Sequence, residues 1–401
     1  MIPLLAFAVT LLLAVLLSSL AQRSVLSTAV LFLVAGFVLG GGVLGVLHFD
    51  PEDPVVARFT ELALFSVLFT DGMRVDLGRL RKAWLLPGRA LLLGMPLTIL
   101  VTAALGRWVA GLPWTHAFLV SAALAPTDPV FASALVGREE VPRRLRGLLN
   151  VESGLNDGLA LPVVVTLLAV VGRAEPHLAG ILGEVALGVA VGIVVPWIAL
   201  KLEQSRFFAA APLYEPLNAF AIGLLVLAAA SLLHANTFLA AFSAGITVGA
   251  AGPKTRDRFH EFGELLAELF KLSALLILGA LITPQLLGSV PLSGYLFAAL
   301  TLVLARPAAL SLALFHTGLS RREWVAAAWF GPKGFASVFF ALLIRRANVD
   351  PNHQLTHLIA LVITASIILH SSTDVPVARW FHEEEEEVDR KTDPTRRTEH
   401  A

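Results

Sequence analysis

The chain has 401 residues, of which 56% are hydrophobic and 15% charged, and its mean hydropathy is +0.77. A soluble domain carries about a quarter charged residues, so this composition excludes an ordinary soluble protein and points to lipid as the solvent. The 30 basic residues balance 30 acidic ones, which removes the case for a nucleic-acid partner, and the lack of cysteine removes disulfides and thiolate metal sites.

Apolar runs of membrane length recur along the chain. Backbone groups in lipid must satisfy one another, so these runs predict helices; the alternation of barrel strands is not seen. Thirteen spans are expected, near 2–20, 26–47, 54–73, 84–106, 114–135, 148–171, 178–200, 216–233, 236–250, 263–282, 291–316, 323–344 and 356–373. The first has no basic residue ahead of it, unlike a secretory signal, and reads as a retained helix. The fold expected is therefore an all-α polytopic membrane protein.

Loop charge gives the orientation. The loops after the odd-numbered spans hold most of the lysine and arginine, including Arg74, Arg79, Arg81 and Lys82 after the third and Arg143, Arg144 and Arg146 after the fifth. The alternate loops hold only Arg107, Arg173, Arg345 and Arg346. The positive-inside rule then places the N-terminus outside and the C-terminus in the cytoplasm. The chain divides into a transmembrane domain, 1–376, and a short acidic tail, 377–401. The glutamate run 383–387 in the tail reads as solvated and disordered.

Two spans contain helix breakers. Span 5 holds Ala125-Pro126-Thr127-Asp128-Pro129, and span 12 holds Gly331-Pro332-Lys333-Gly334. Proline removes a backbone donor and clashes with the turn before it, so both spans are expected to unwind at mid-depth. Either break alone reads as a packing kink. The pair crosses in opposite directions and each carries a charged residue, which points to a transport site built between inverted halves.

Ionisable groups inside a bilayer mark function by default. Span 6 is the richest, with Glu152-Ser153-Gly154-Leu155-Asn156-Asp157-Gly158. Ser153 and Asp157, four apart, share a helix face, and a carboxylate beside a hydroxyl suits a dehydrated alkali cation. Gly154 and Gly158 are read as sites of close helix approach. Burial disfavours the charged form of a carboxyl, so Asp157 can hold a proton or a cation, and that competition is itself an exchange mechanism. Glu152 would be a costly second charge unless Arg306 of span 11 neutralises it in a structural pair. Lys333 either offsets half-helix dipole ends in its break or titrates during transport. Asp128 is its counterpart in span 5, and the neighbouring Thr127 offers a hydroxyl and a carbonyl to a cation. Asp71 reads equally as an interfacial carboxylate near Arg74 or as a cation ligand. Glu268 and Lys271 read as a local helix pair. No phosphate-binding glycine loop and no nucleophile–base pair is visible, which argues against an ATP-driven pump and against an enzyme.

These motifs resemble those of the monovalent cation:proton antiporter superfamily, in its sodium/proton exchanger branch. The resemblance rests on Pro126-Thr127-Asp128-Pro129, Glu152-Ser153 with Asn156-Asp157, Ala305-Arg306-Pro307 and Gly331 to Gly334, with weaker similarity from Phe69 to Asp76. It implies thirteen helices in two inverted repeats, the broken helices crossing near the midplane, and a homodimer. It implies that Asp157 carries cation and proton in turn, with Ser153, Thr127 and Asp71 as further ligands, and that Glu152 and Arg306 pair. Asn156 matches the Asn-Asp branch, which exchanges one charge for one. Two positions depart from the family: Lys333 stands where arginine is usual, and Asp71 where glutamate is frequent.

The function expected is electroneutral exchange of sodium for protons across the cell membrane, with no cofactor. The partners are a monovalent cation, the proton and the lipid bilayer. Potassium/proton exchange is the near alternative; a cation channel or a membrane sensor is the alternative of another class.

Overall fold

The computed structural model describes residues 2–21, 28–49, 53–75, 85–128, 135, 141–172, 178–205, 211, 214–350 and 352–392. Among them the regular secondary structure is helical throughout. In chain order the helices are α1 (Ile2–Ala21), α2 (Thr28–Leu39), α3 (Pro54–Arg74), α4 (Leu85–Trp108), α5 (Trp114–Ala123), α6 (Arg143–Gly172), α7 (Leu178–Glu203) and α8 (Glu215–Leu232). They continue as α9 (Thr237–Ala251), α10 (Pro253–Leu281), α11 (Pro284–Ser289), α12 (Leu292–Ala313), α13 (Arg321–Trp329), α14 (Phe335–Arg346) and α15 (Gln354–Thr392).

Among the described residues, α4, α6, α7, α8, α12 and α15 contain stretches long and apolar enough to cross a membrane. The charges of α3 and α10 set those two helices apart: Arg58, Glu61, Asp71 and Arg74 on one, Glu264, Glu268 and Lys271 within the apolar part of the other. The outward faces of α1 and α7 carry exposed Leu5, Leu12, Leu16, Leu182, Val194 and Trp197. Water would not tolerate so continuous an apolar surface, but lipid does. Span 2 comes out shorter than the hydropathy predicts, because α2 ends at Leu39 where Gly40, Gly41 and Gly42 follow, and glycine is a poor helix former.

Among the described residues, α5 and α13 both end just ahead of a proline-bearing motif. α5 stops at Ala123, and 124–128 run on without helix through Pro126; 129–134 lie outside the described residues. α13 opens on a reciprocal cap between Ser320 and Glu323, ends at Trp329, and α14 starts only at Phe335. Pro332 cannot donate to the preceding turn, and with Gly331 and Gly334 flanking it the stretch favours an interruption, whereas the isolated Pro162, Pro196 and Pro376 are carried inside helices.

α4 and α12 share a second irregularity. Each contains a five-residue π-helical turn, Ala90–Gly94 and Thr301–Ala305, just ahead of a proline, Pro96 and Pro307. The two helices pack on one another at these turns. Such turns absorb an extra residue and re-aim the side chains that follow, here Arg306.

The largest helix contacts are α3 with α9, α7 with α9, and α2 with α10. The α3–α9 contact is as close as two helices can come. A methyl at Gly72 would lie 2.4 Å from the Phe242 carbonyl, and one at Gly245 would lie 2.1 Å from the Phe69 carbonyl. One core runs through most of the helices, and a smaller cluster gathers Leu145, Leu148, Leu149, Phe330, Ala378 and Phe381 where α6, α13 and α15 converge.

The tail departs from its expected disorder over 377–392, where α15 continues as helix to Thr392. Glutamate, lysine and arginine are good helix formers, and a helix already nucleated inside the bundle propagates through them. Residues 393–401 lie outside the described set.

Candidate functional site

The two interruptions meet. The Asp128 amide donates to the Pro332 carbonyl at 2.9 Å, and the amide of Phe335, first residue of α14, donates to Asp128 Oδ2 at 3.4 Å. The Asp128 carboxylate therefore lies at the positive end of a half-helix, where backbone N–H groups are free to bind it. Glycine is required for this approach: a methyl on Gly334 would lie 2.2 Å from Asp128 Cβ. A methyl on Gly331 would lie 2.3 Å from Arg306 Cδ.

Thr127 joins the first break to α6. Its hydroxyl lies 3.0 Å from Ser153 Oγ and accepts a 2.6 Å hydrogen bond from Asn156 Nδ2. All three side chains are buried. Asp157 follows on the same helix. Its Oδ1, and Oδ1 of Asn156, are buried acceptors with no donor among the described residues. Two acceptors left in this condition are expensive unless something positive reaches them.

Thr127, Asp128, Ser153 and Asp157 line one cavity of about 530 Å³, together with Asp71, Gly154, His260, Glu264 and Lys271. Asn156 contacts this group through Thr127 without lining the cavity itself. Gly158 faces the Phe242 ring, so a side chain there would collide with α9, as expected of a close-packing glycine. Gly154 does not serve that purpose: nothing lies within 4 Å of a methyl built on it, because it faces the cavity.

Glu152 and Arg306 lie outside the cavity, and both are buried. Arg306 Nη1 and Nη2 donate to the two carboxylate oxygens at 2.5 and 2.8 Å, and Nε donates to the Ala327 carbonyl at 3.0 Å. A planar fork matched to a carboxylate is the geometry in which arginine bonds best. Lys333 is also buried and away from the cavity, its amide donating to Ser366 Oγ at 2.8 Å.

Asp71 reaches the cavity wall already engaged. Arg74 Nη1 lies 3.2 Å from its Oδ1, while Arg74 Nη2 donates to Glu264 Oε1 at 2.8 Å. Asp71 thus pairs with Arg74 and lines the cavity at the same time. The Arg74–Glu264 link joins residues 190 apart in sequence and has no sequence signal. Lys271 is the second member of the site that sequence reasoning did not place: it lines the cavity, where its charge acts on Asp128 and Asp71 as well as on its expected neighbour Glu268.

The profile of the family described as sodium/hydrogen exchanger, transmembrane, matches residues 8–380. The K(+)/H(+) antiporter NhaP2 of Shewanella sp. (strain MR-4) is 27% identical over 374 residues, which cover 91% of this chain and 64% of the relative. The K(+)/H(+) antiporter NhaP of Alkalimonas amylolytica is 28% identical over 361 residues, covering 87% and 62%. The chain thus spans slightly less than two thirds of the length of these curated relatives. The solved structure of the sodium proton antiporter MjNhaP1 from Methanocaldococcus jannaschii at pH 8 matches with a TM-score of 0.79 at 19% identity, over 94% of this chain and 99% of that one, a likeness of fold. With the family profile covering all but the chain's ends, and with the fold and the paired breaks it leads one to expect, this multi-pass membrane protein belongs to the sodium/hydrogen exchanger branch of the monovalent cation:proton antiporters.

Proposed function

We propose that the chain exchanges sodium for protons across the cell membrane, one for one, with both cargoes competing for Asp157. The observation that carries this reading is the pair of donor-less buried oxygens, Asp157 Oδ1 and Asn156 Oδ1, on a helix whose Asp157 and Ser153 line one cavity with Thr127, to which Asn156 is bonded. A dehydrated alkali cation asks for oxygen ligands, and a proton on Asp157 supplies the missing donor when the cation leaves. Glu152 is neutralised by Arg306, which does not deprotonate, so the exchanging charge is confined to one carboxylate. One carboxylate holding either of two monovalent guests gives an electroneutral cycle.

Alternating access follows if the two interrupted helices move with α6 against α3 and α10, the cavity lying between these groups. The same reading takes thirteen crossings in two inverted repeats, supported by the π-helical turns of α4 and α12, which recur seven spans apart like the breaks themselves. It includes a cytoplasmic C-terminus, a homodimer in the cell membrane and a role in pH homeostasis.

Potassium/proton exchange is the second reading, favoured by the names of the two curated relatives. Proteoliposomes with a trapped pH dye decide between them: proton flux is followed against sodium, potassium and lithium, with and without a valinomycin clamp. Asp157→Asn should abolish the flux. Undiminished exchange in that variant would overturn the proposal.

A further inference from the structure

Lys271 lies on α10, is 9% exposed and lines the cavity that holds Asp157. The other basic groups near the site are already bound to carboxylates. Arg74 is shared by Asp71 and Glu264, His260 lies 3.3 Å from Glu264, and Arg306 is held by Glu152. Lys271 is different: among the described residues no close ion pair or hydrogen bond fixes its ammonium, and the carboxylates of Asp128, Asp71 and Glu268 act on it through charge across the cavity and its wall. A buried lysine with only a packing role would be paired or would carry its amine out to solvent. This one lines the same cavity as Asp157, so its ammonium acts on whatever charge enters there.

We propose that Lys271 sets the affinity and the valence of the cargo, acting as a tethered positive charge that subtracts one unit from the negative charge the cavity offers. The inference rests on Asp157 being the exchange site. Lys271 is on this account a positioning and selectivity residue; it does not leave the cavity and carries no proton in the cycle.

The Coulomb term between a fixed charge and a guest scales with the guest's own charge. Lys271 therefore disfavours a divalent ion by twice the free energy with which it disfavours sodium or potassium. Put as binding constants, if removing the ammonium tightens a monovalent guest by a factor f, it tightens a divalent guest by about f squared. That relation separates an electrostatic role from a structural one, because loosened packing has no reason to respect ionic charge.

The experiment compares the full-length wild type, Lys271→Gln, Lys271→Met and Lys271→Arg in proteoliposomes, reading monovalent cation KM and the inhibition constant of calcium on dye-reported antiport. The wild type should resist calcium at about ten times its monovalent KM. Lys271→Gln should lower that KM by about tenfold and bring calcium inhibition down by about a hundredfold, while Lys271→Arg keeps wild-type values. Lys271→Met, similar in length but uncharged, reports the same quantities if the glutamine variant does not fold. Calcium inhibition of the wild type near its monovalent KM would overturn the inference without any variant. Unchanged constants in both neutral variants would do the same. Asp157→Asn run alongside separates the two proposals: if it is inactive while the neutral Lys271 variants match wild type, only the Lys271 inference fails. If Asp157→Asn still exchanges, the site assignment fails first.

Discussion

Arg306 presents both terminal nitrogens and Nε to fixed acceptors, two on Glu152 and one on the Ala327 backbone, so its guanidinium ties α6 to α13 from a position on α12. A buried pair of this kind contributes little relative to apolar packing, but breaking it leaves a lone charge in a low dielectric. Glu152→Ala should therefore destabilise the protein by about 3–5 kcal/mol, measured by thermal unfolding in detergent. Arg306→Lys should also be poorly tolerated, because a single ammonium cannot reproduce the three-pronged contact.

Thr127 is placed to tune cation affinity. Its hydroxyl touches both Ser153 and Asn156, so Thr127→Val removes a candidate ligand and leaves the Asn156 amide without its acceptor. The unmet buried donor should lower stability by about 1–3 kcal/mol, and loss of a hydroxyl ligand worth about 1.4 kcal/mol should raise the cation KM about tenfold. Thr127→Ser should recover most of the loss. Equal KM in the valine and wild-type proteins would remove Thr127 from the ligand set.

The pH dependence follows from the competition at Asp157. The protonated carboxyl holds no cation, so lowering the pH raises the apparent cation KM, and raising it restores affinity. Once protonation dominates, each unit of acidification should raise KM by about tenfold, the signature of a single exchanging proton, with the maximal rate at saturating cation preserved. A slope near two decades per unit would require two protons per cation and contradict the one-for-one cycle.

Gly334→Ala and Gly154→Ala make a matched test of where the backbone is crowded. A methyl at 334 collides with Asp128, whereas one at 154 meets nothing. The first should destabilise by about 1–3 kcal/mol and displace the contact between the two breaks, which would be read as lost transport at normal expression. The second should leave the unfolding temperature unchanged or slightly raised, since alanine is the better helix former.

Most of this site is local in the sequence, and so it could be read there. The doubled prolines Pro126 and Pro129, and Pro332 between Gly331 and Gly334, concentrate helix breakers in short stretches, and the spacing from Ser153 to Asp157 fixes a face once α6 is a helix. The Glu152–Arg306 pairing was legible for a different reason: two charges with no local partner in apolar spans must find each other. Lys271 was only half legible: its neighbour Glu268 does act on it through charge, but its place on the cavity wall with Asp128 and Asp71 depends on how α10 packs. Arg74–Glu264 crosses between α3 and α10 and depends on how those helices dock, which no periodicity encodes. The end of α2 and the helical extension of α15 show the limits of hydropathy, which registers lipid contact rather than where a helix starts or stops.

The two sides of the cavity differ in compliance. Asp71 sits next to Gly72, where α3 and α9 touch backbone to backbone, so its carboxylate is mounted on a stiff, nearly incompressible joint. Asp157 sits next to Gly158, whose nearest neighbour across the interface is the Phe242 ring, and a ring can rotate or shift where a carbonyl cannot. A cation shared between these walls would therefore move the Asp157 side and leave the Asp71 side as the fixed frame against which displacement is registered.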